Sequence, residues 1–290
     1  MTVRHTIERE VKQVVHQIPP LPGVILRLIE LVDSENASAE QVESLITTDP
    51  ALCAKVLHLA NSAYYGLSRS IGTVKQATLV LGFHAIKNLV VGIAAMMALK
   101  NGRKPSAHEL AIWEHAFTCA GIARALILHT KRGVRKAEEA FMGGLLHEIG
   151  ILVLLTRFPS EYQKVLESAR APNREFRSLV EAERTLLETD HAELGGWLAQ
   201  RWELPPSLVE SIASHHAPAL PEGEQRTVLA SIMLGDYWSH LFSDETEMGF
   251  PLTPPPIEAI QLFSLPEAER NSLVHRVVEQ TQAMRQVVSM

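Results

Sequence analysis

The chain is poor in cysteine and lacks an excess of positive charge. Cys53 and Cys119 are its only cysteines and no CxxC spacing occurs, which excludes a disulfide framework and a cysteine-based zinc or redox motif. Both lie in apolar helical patterns, which predicts buried thiols and fits a reducing compartment. The 27 Lys and Arg residues against 33 Asp and Glu give a net charge of −6. Such a balance disfavours nucleic-acid binding, which needs a basic face.

Long apolar runs are missing as well, and no leader segment is predicted. The longest apolar run, Leu89 to Leu99, has 11 residues, whereas a transmembrane helix needs about 20. Residues Met1 to Glu10 carry charges of both signs and no apolar core, so no signal peptide is predicted. We therefore expect a cytoplasmic protein that does not span a membrane.

Strict alternation of apolar and polar residues, which marks half-buried strands, does not occur. Helical signals are frequent instead. Capping boxes are predicted at Ser38–Gln41, Thr73–Gln76, Ser106–Glu109 and Ser264–Glu267, with Asp-led starts at Asp49–Pro50 and Asp190–Glu193. The last box is expected to open a helix that runs to about Val288, and 143–155 is interpreted as one buried helix. The predicted fold class is all-α.

Two composition breaks divide the 290 residues. The first, 100–105, is polar, and the second, 251–256, contains four prolines and indicates a stiff connector. They predict two packed helical subdomains, 1–104 and 105–245, followed by a C-terminal helical extension, 246–290.

Several short motifs in the first subdomain resemble the HDOD (HD-related output domain) family. They are Pro-Pro-Leu-Pro at 19–22, Asp-Pro-Ala-Leu at 49–52, Leu-Ala-Asn-Ser-Ala-Tyr-Tyr-Gly at 59–66, Gln76-Ala77, Leu81-Gly82 and Asn88-Leu89-Val90. The resemblance runs from about residue 18 to about 240. It implies an all-helical regulatory domain of bacterial signal transduction, related to HD phosphohydrolases, that acts through protein contacts.

The 59–66 motif mixes apolar and polar residues in a way that suits a contact surface. We expect Asn61 and Tyr64 to contact a protein partner, because tyrosine offers a large rigid surface with a polar tip. The alternative is that the tyrosines only close the interior and that Asn61 binds backbone. A second copy of the chain remains open as the partner.

The second subdomain contains a series of metal-binding residue types. The candidate ligands are His115, His147, Glu148, His191, His215, His216 and Asp236. Imidazole and carboxylate suit a divalent Fe, Mn or Zn ion, although each residue alone is more often a core or surface residue than a ligand. The remaining eight histidines, His240 among them, are interpreted as structural.

The order of these residues resembles the HD superfamily, and the second subdomain is therefore expected to be HD-like. His115, His147 and Asp236 match its pattern, whereas Glu148 stands where the superfamily has Asp. The added methylene moves the carboxylate by roughly 1.5 Å, which is large against the tolerance of metal–ligand distances. Another set resembles the added histidines of HD-GYP phosphodiesterases, namely His191, His215 and His216. The Gly-Tyr-Pro signature of those enzymes is absent, because Ala217-Pro218 follows the histidine pair.

The leading functional hypothesis is a non-enzymatic signalling module, with no residue assigned a catalytic role. The alternative is a metal-dependent phosphohydrolase or phosphodiesterase acting on a nucleotide or cyclic dinucleotide. A third hypothesis is a nucleotide sensor that binds without cleaving. We expect no appreciable phosphoester turnover, because the only dense basic run, 131–136, is interpreted as a solvated loop between helices and no other cluster of Lys or Arg is available to stabilise a phosphate. The nearest cation is Arg124.

Overall fold

The computed structural model describes residues 4–34, 36–62, 64–100, 102–170, 178–242 and 252–282. These residues form helices and connecting turns without strands, so the predicted all-α class is confirmed. The helices are α1 (Arg4–Gln17), α2 (Gly23–Asp33), α3 (Ala39–Ile46), α4 (Pro50–Ala60), α5 (Val74–Leu81), α6 (Phe83–Lys100), α7 (Ala107–His129), α8 (Val134–Leu146), α9 (Ile149–Arg157), α10 (Pro159–Arg170), α11 (Leu179–Leu187), α12 (His191–Arg201), α13 (Pro206–Ser214), α14 (Arg226–Phe242), α15 (Ile257–Leu262) and α16 (Glu267–Gln282).

Most predicted helix starts are confirmed by their hydrogen bonds. Ser38 forms a complete capping box with Gln41, and Ser106 forms one with Glu109. Asp49 accepts from two main-chain N–H groups at the start of α4, where Pro50 is the first helical residue. These side chains satisfy N–H groups that have no partner inside the helix.

Two helix predictions need correction. The segment 143–155 is not one helix, because α8 ends at Leu146 and α9 begins at Ile149. Helix α16 begins at Glu267, two residues later than a cap at Ser264 requires. The end predicted near Val288 lies outside the described residues.

The chain divides into two compact units that differ from the predicted subdomains. The larger unit comprises Met1–Ile18 and Ala111–Val278, and the smaller comprises Pro19–Leu110 and Glu279–Met290. Helix α1 belongs to the larger unit because it packs on α11 and α12. Helix α15 and the part of α16 up to Val278 also belong to this unit. Together with the residue after α15 they supply Ala259, Phe263, Val274 and Val277 to a core shared with α7, α8 and α14.

Small residues allow close helix packing in the larger unit. A Cβ atom on Gly144 of α8 would lie 2.7 Å from the Cα atom of Ala120 on α7. A Cβ atom on Gly150 of α9 would lie 2.0 Å from the carbonyl oxygen of His191, the first residue of α12. Only glycine permits these approaches, which bring α7, α9 and α12 close to the break between α8 and α9.

Three stretches of the described residues are long and apolar enough to cross a membrane by length and composition alone. They are α6, α7 and the α8–α9 stretch Val134–Arg157. The sequence analysis counted only unbroken apolar runs. It did not identify these three stretches because polar residues interrupt each of them. In the folded chain, 61%, 61% and 83% of an apolar 18-residue window in the respective stretches is buried inside the protein. Their apolar residues therefore supply much of the core.

Candidate metal centre

All seven candidate ligands lie in the larger unit, near its helix ends and on its long helices. His115 is on α7, His147 and Glu148 separate α8 from α9, His191 opens α12, His215 and His216 follow α13, and Asp236 is on α14. The structure brings all of them together in two groups, and within each group one ligand atom per residue lies within 4.8 Å of the others.

The first group, here the aspartate group, consists of His115, His147, Glu148 and Asp236. The Nε2 atom of His115 lies 3.1 Å from Asp236 Oδ1, and that of His147 lies 3.7 Å from the same oxygen. Glu148 Oε1 is 3.8 Å from His147 Nε2. Nitrogen and oxygen donors thus surround one small volume.

The second group, here the histidine-pair group, consists of Glu148, His191, His215 and His216. His191 Nε2 lies 3.3 Å from Glu148 Oε2. The ring centroids of His215 and His216 are 4.2 Å apart. Glu148 belongs to both groups and directs one carboxylate oxygen toward each, so the two groups share one carboxylate.

The break between α8 and α9 allows a glutamate at position 148 to reach the other candidate ligands. Glu148 is the N-cap of α9, with φ −97° and ψ 13°, outside regular helical geometry. The sequence analysis placed His147 and Glu148 inside one continuous helix, 143–155, and that placement is wrong. The turn between α8 and α9 sets the direction of the longer Glu148 side chain independently of helical spacing.

Main-chain carbonyls orient two of the histidine rings. Nδ1 of His147 lies 2.6 Å from the carbonyl oxygen of Gly144, and Nδ1 of His215 lies 2.7 Å from that of Ile212. A carbonyl oxygen only accepts hydrogen bonds, so each Nδ1 carries the proton. Each Nε2 is thereby left with the position at which histidine binds a metal.

Side chains orient the other two rings in the same sense. The hydroxyl of Ser239 donates to the carbonyl oxygen of Asp236 at 2.7 Å, so it accepts from Nδ1 of His115 at 3.0 Å. Nδ1 of His191 donates to Glu183 Oε2 at 2.6 Å. All four rings therefore present Nε2 to the centre.

Four buried ligand atoms lack a hydrogen-bond partner within the described residues. They are Glu148 Oε2, His191 Nε2, His215 Nε2 and Asp236 Oδ1. The pair Glu148 Oε2 and His191 Nε2 is close, at 3.3 Å, but is not aligned as a hydrogen bond. Leaving buried polar groups unsatisfied costs about 1–3 kcal/mol each, so a cluster of them indicates a missing partner.

A divalent metal ion fits as that partner. Ligand atoms that each lie about 2.1 Å from one ion are themselves about 3.0–3.5 Å apart. The His115–Asp236 separation of 3.1 Å and the His191–Glu148 separation of 3.3 Å fall in this range. The aspartate group and the histidine-pair group each offer enough donors for one ion.

The electrostatics also favour ligand forms. Burial, with the neighbouring His240, lowers the pKa of His115 to about 3, and burial with neighbouring His191 lowers the pKa of His216 to about 3. Both rings are therefore neutral at pH 7. Burial by itself raises the pKa of Asp236, but the close imidazole rings of His115 and His147 hold it well below its usual range. Asp236 is thus ionised.

His191 differs from these rings. Burial by itself lowers its pKa, but the Glu183 and Glu148 carboxylates together raise that pKa to about 10. A metal ion that binds His191 must therefore displace a proton from Nε2.

Sequence reasoning missed three further residues around the centre. His240, interpreted as structural, stacks on His115 with ring centroids 4.1 Å apart, and its Nε2 lies 3.5 Å from Asp236 Oδ1. Ser239 and Glu183 anchor ligands, as described above. Only His240 had a usable signal, because it follows Asp236 by four residues and so shares its helix face.

Arg124 is not free to bind a phosphate group. Its Nε donates to Glu138 Oε1 at 2.7 Å, and the exposed fractions of the two side chains are 33% and 8%. The candidate cation named from the sequence is therefore engaged in an ion pair.

The residues predicted to contact a partner lie in the smaller unit. Asn61 is used internally, since its side chain donates to the carbonyls of Leu57 and Ile71 and accepts from the main-chain N–H of Ile71. Tyr64 is half-buried and its ring meets that of Tyr65 edge-on at 4.9 Å. Asn61 thus clamps the loop that follows α4, and a contact role for either residue stays a prediction.

Comparison with known proteins identifies relatives over most of the chain. A family model, the HDOD domain, matches residues 18–218. An HDOD domain protein of Geobacter sulfurreducens superposes with a TM-score of 0.76 at 23% identity, covering 98% of this chain and 97% of that one. A candidate phosphohydrolase of Shewanella amazonensis SB2B superposes with a TM-score of 0.70 at 25% identity, covering 96% and 97%.

A curated protein is also similar in sequence. An uncharacterized protein of Treponema pallidum (strain Nichols) is 25% identical over 233 residues, which are 80% of this chain and 44% of that protein. The chain therefore spans less than half the length of that relative.

Proposed function

Because the chain belongs to the HDOD domain family, we propose that it is a regulatory signalling module whose larger unit holds two divalent metal ions. The observation that carries the metal proposal is the set of buried, unpartnered ligand atoms on Glu148, His191, His215 and Asp236. The regulatory role is supported by the family, and it is exerted through protein contacts.

The aspartate group would hold one ion and the histidine-pair group the other, with Glu148 shared between them. Imidazole and carboxylate donors suit Fe, Mn or Zn. Divalent ions at such a site supply Lewis acidity and activate water. The chain's own contribution is to hold four Nε2 atoms in place through fixed Nδ1 hydrogen bonds and to exclude bulk solvent.

Elemental analysis of protein purified without chelator tests the metal proposal. We expect about two equivalents of Fe, Mn or Zn per chain. His147→Ala should lose the ion of the aspartate group. The control is Glu138→Gln, which removes a buried carboxylate of the Arg124 ion pair and should retain both ions. Protein that stays metal-free after anaerobic reconstitution with each of the three metals would refute the proposal.

Partner contact through Tyr64 is the second element of the proposal. Tyr64→Ala should weaken binding of the signalling partner per folded molecule, because the ring offers area at the 59–66 surface. If the variant loses stability but binds the partner equally well per folded molecule, Tyr64 serves only the interior of the smaller unit.

Phosphoester hydrolysis is the second candidate function. It is favoured by two ligand groups that share a carboxylate, and by the 25%-identical Shewanella relative described as a candidate phosphohydrolase. Against it stand the ion pair that engages Arg124 and the Ala217-Pro218 sequence after the histidine pair. Catalysis of phosphoryl chemistry normally needs cationic groups on the developing charge.

Metal-loaded protein assayed with bis-nitrophenyl phosphate and with cyclic di-GMP separates the two functions. The regulatory proposal predicts no turnover above that of His147→Ala. Multiple turnover that disappears in His147→Ala would make the hydrolase the leading function. A weak signal that persists in that variant marks a contaminant and leaves the regulatory function in place.

A further inference from the structure

Glu183 is a fully buried carboxylate eight residues before His191, and one of its two oxygens binds His191 of the histidine-pair group. The exposed fractions of Tyr162, Glu183 and His191 are 0%, 0% and 1%. The Tyr162 hydroxyl donates to Glu183 Oε1 at 2.7 Å. On the other oxygen, Oε2, the main-chain N–H and the ring Nδ1 of His191 converge at 3.0 and 2.6 Å.

Glu183 therefore holds His191 at two points. One bond fixes the main chain where α12 begins, and the other fixes the rotation and tautomer of the ring. The other three rings described above have neutral anchors, namely two main-chain carbonyls and the hydroxyl of Ser239. An anionic anchor makes the opposite ring nitrogen a stronger donor than a neutral anchor does.

We propose that Glu183 is a positioning residue that holds His191 Nε2 for a divalent metal ion in the histidine-pair group, with Tyr162 holding Glu183 in turn. The inference rests on the proposed metal centre and deepens it. It predicts that the two metal sites differ in how much they depend on Glu183, because only the histidine-pair group contains His191.

Two background variants separate the sites. His115→Ala removes a ligand of the aspartate group alone, so its remaining ion reports on the histidine-pair group. His216→Ala removes a ligand of the histidine-pair group alone, so its remaining ion reports on the aspartate group. Adding Glu183→Gln to each keeps the size of the side chain and one oxygen acceptor while removing the negative charge.

The measurement is the Zn²⁺ dissociation constant by competition with a chromophoric chelator, together with the visible absorption of Co²⁺-loaded protein. In the His115→Ala background, Glu183→Gln should weaken Zn²⁺ binding by about 10- to 100-fold and shift the Co²⁺ bands. In the His216→Ala background, it should leave both the affinity and the bands nearly unchanged, because His191 is not a member of the aspartate group.

Tyr162→Phe is a second variant, which tests the proposal if Glu183→Gln fails to fold. It removes one hydroxyl from a buried ring. In the His115→Ala background it should weaken Zn²⁺ binding by less than Glu183→Gln does, and in the His216→Ala background it should have no effect.

The outcomes distinguish the two levels of the proposal. Unchanged affinity in the His115→Ala background, or equal losses in both backgrounds, would overturn the positioning role while leaving the metal centre standing. Wild-type protein that binds no Zn²⁺ or Co²⁺ would overturn the metal centre and the positioning role together.

Discussion

The Nε2 atoms of His115 and His147 lie 3.3 Å apart, and each ring already donates its Nδ1 proton to another group. The two Nε2 atoms therefore face each other inside the protein, beside the ionised Asp236. Burial by itself lowers the pKa of His147, but the neighbouring Cys119 and Asp236 raise it well above its usual value. Either a proton shared by the two nitrogens or a metal ion therefore supplies positive charge between these donors, and the metal proposal for the aspartate group requires that the ion replace the proton.

Glu148→Gln should weaken metal binding in both groups at once. Its carboxylate contributes one oxygen to each group, and the amide has only one oxygen and no charge. We expect metal content to fall from about two equivalents to less than one, measured by elemental analysis after dialysis. His216→Ala is the matched control and should lose only one equivalent; a Glu148→Gln variant that retains both ions would contradict the shared role.

Gly150→Ala should destabilise the larger unit strongly. The added methyl group would lie 2.0 Å from the carbonyl oxygen of His191. This neighbour is a main-chain atom, which cannot move aside as easily as the end of a flexible side chain. We expect a loss of about 2–3 kcal/mol in the free energy of unfolding, measured by urea denaturation. Gly23→Ala at the start of α2, where nothing lies within 4 Å of the added atom, should be nearly neutral, and a similar loss in both variants would refute the steric explanation.

Asn61→Ala should destabilise the smaller unit. The substitution leaves the Ile71 N–H and two carbonyls without their side-chain partner. We expect the free energy of unfolding to fall by about 1–3 kcal/mol. Ser70→Ala, in the same exposed loop, should change it by less than about 0.5 kcal/mol; equal effects of the two substitutions would argue against the clamp.

Glu109 should make the smaller unit sensitive to acid. Burial by itself raises the pKa of Glu109, but hydrogen bonds from Arg103 and Ser106 lower it below the ordinary value of 4.5. A carboxyl with a lowered folded-state pKa stabilises the fold above the unfolded-state pKa, and this contribution disappears as the pH falls through the folded-state pKa.

Glu109→Gln is the corresponding test. It should cost about 1 kcal/mol at pH 7, a modest value because the Arg103 side chain is 41% exposed. The difference from wild type should shrink as the pH falls below 4.5. Urea titrations at several pH values measure it, and a difference that stays constant down to pH 2.5 would contradict the assignment.

The fold class could be predicted from sequence because its signals are local. Ser38, Asp49 and Ser106 cap helices through residues two or three positions away, so the pattern is visible in the chain. The break between α8 and α9 could not be predicted, because the apolar pattern continues through Ile149 and the turn is set by packing against α12. The close approach at Gly150 is visible only when the two helices are placed together.

The residues that converge in the candidate site were predictable from the sequence, but the residues that orient them were not. His115, His147 and Asp236 follow an order that could be matched, and the structure brings them together. Glu183 and Ser239 could not be found in the same way, because their roles depend on contacts between separate helices. A lone Glu or Ser in a helical pattern normally indicates only an exposed face.

Two of the four ring anchors, the carbonyls of Gly144 and Ile212, belong to the main chain. No replacement of a side chain at either position deletes a carbonyl, but a side chain at Gly144 would have to displace main chain, because its Cβ atom would lie 2.7 Å from the Cα atom of Ala120. Substitutions can therefore remove the Glu183 and Ser239 anchors directly, whereas they affect the two main-chain anchors only by moving the backbone. A homologous chain in which one candidate ligand was substituted would keep the remaining rings oriented by their anchors. A single reverse substitution could then restore the full set of candidate ligands.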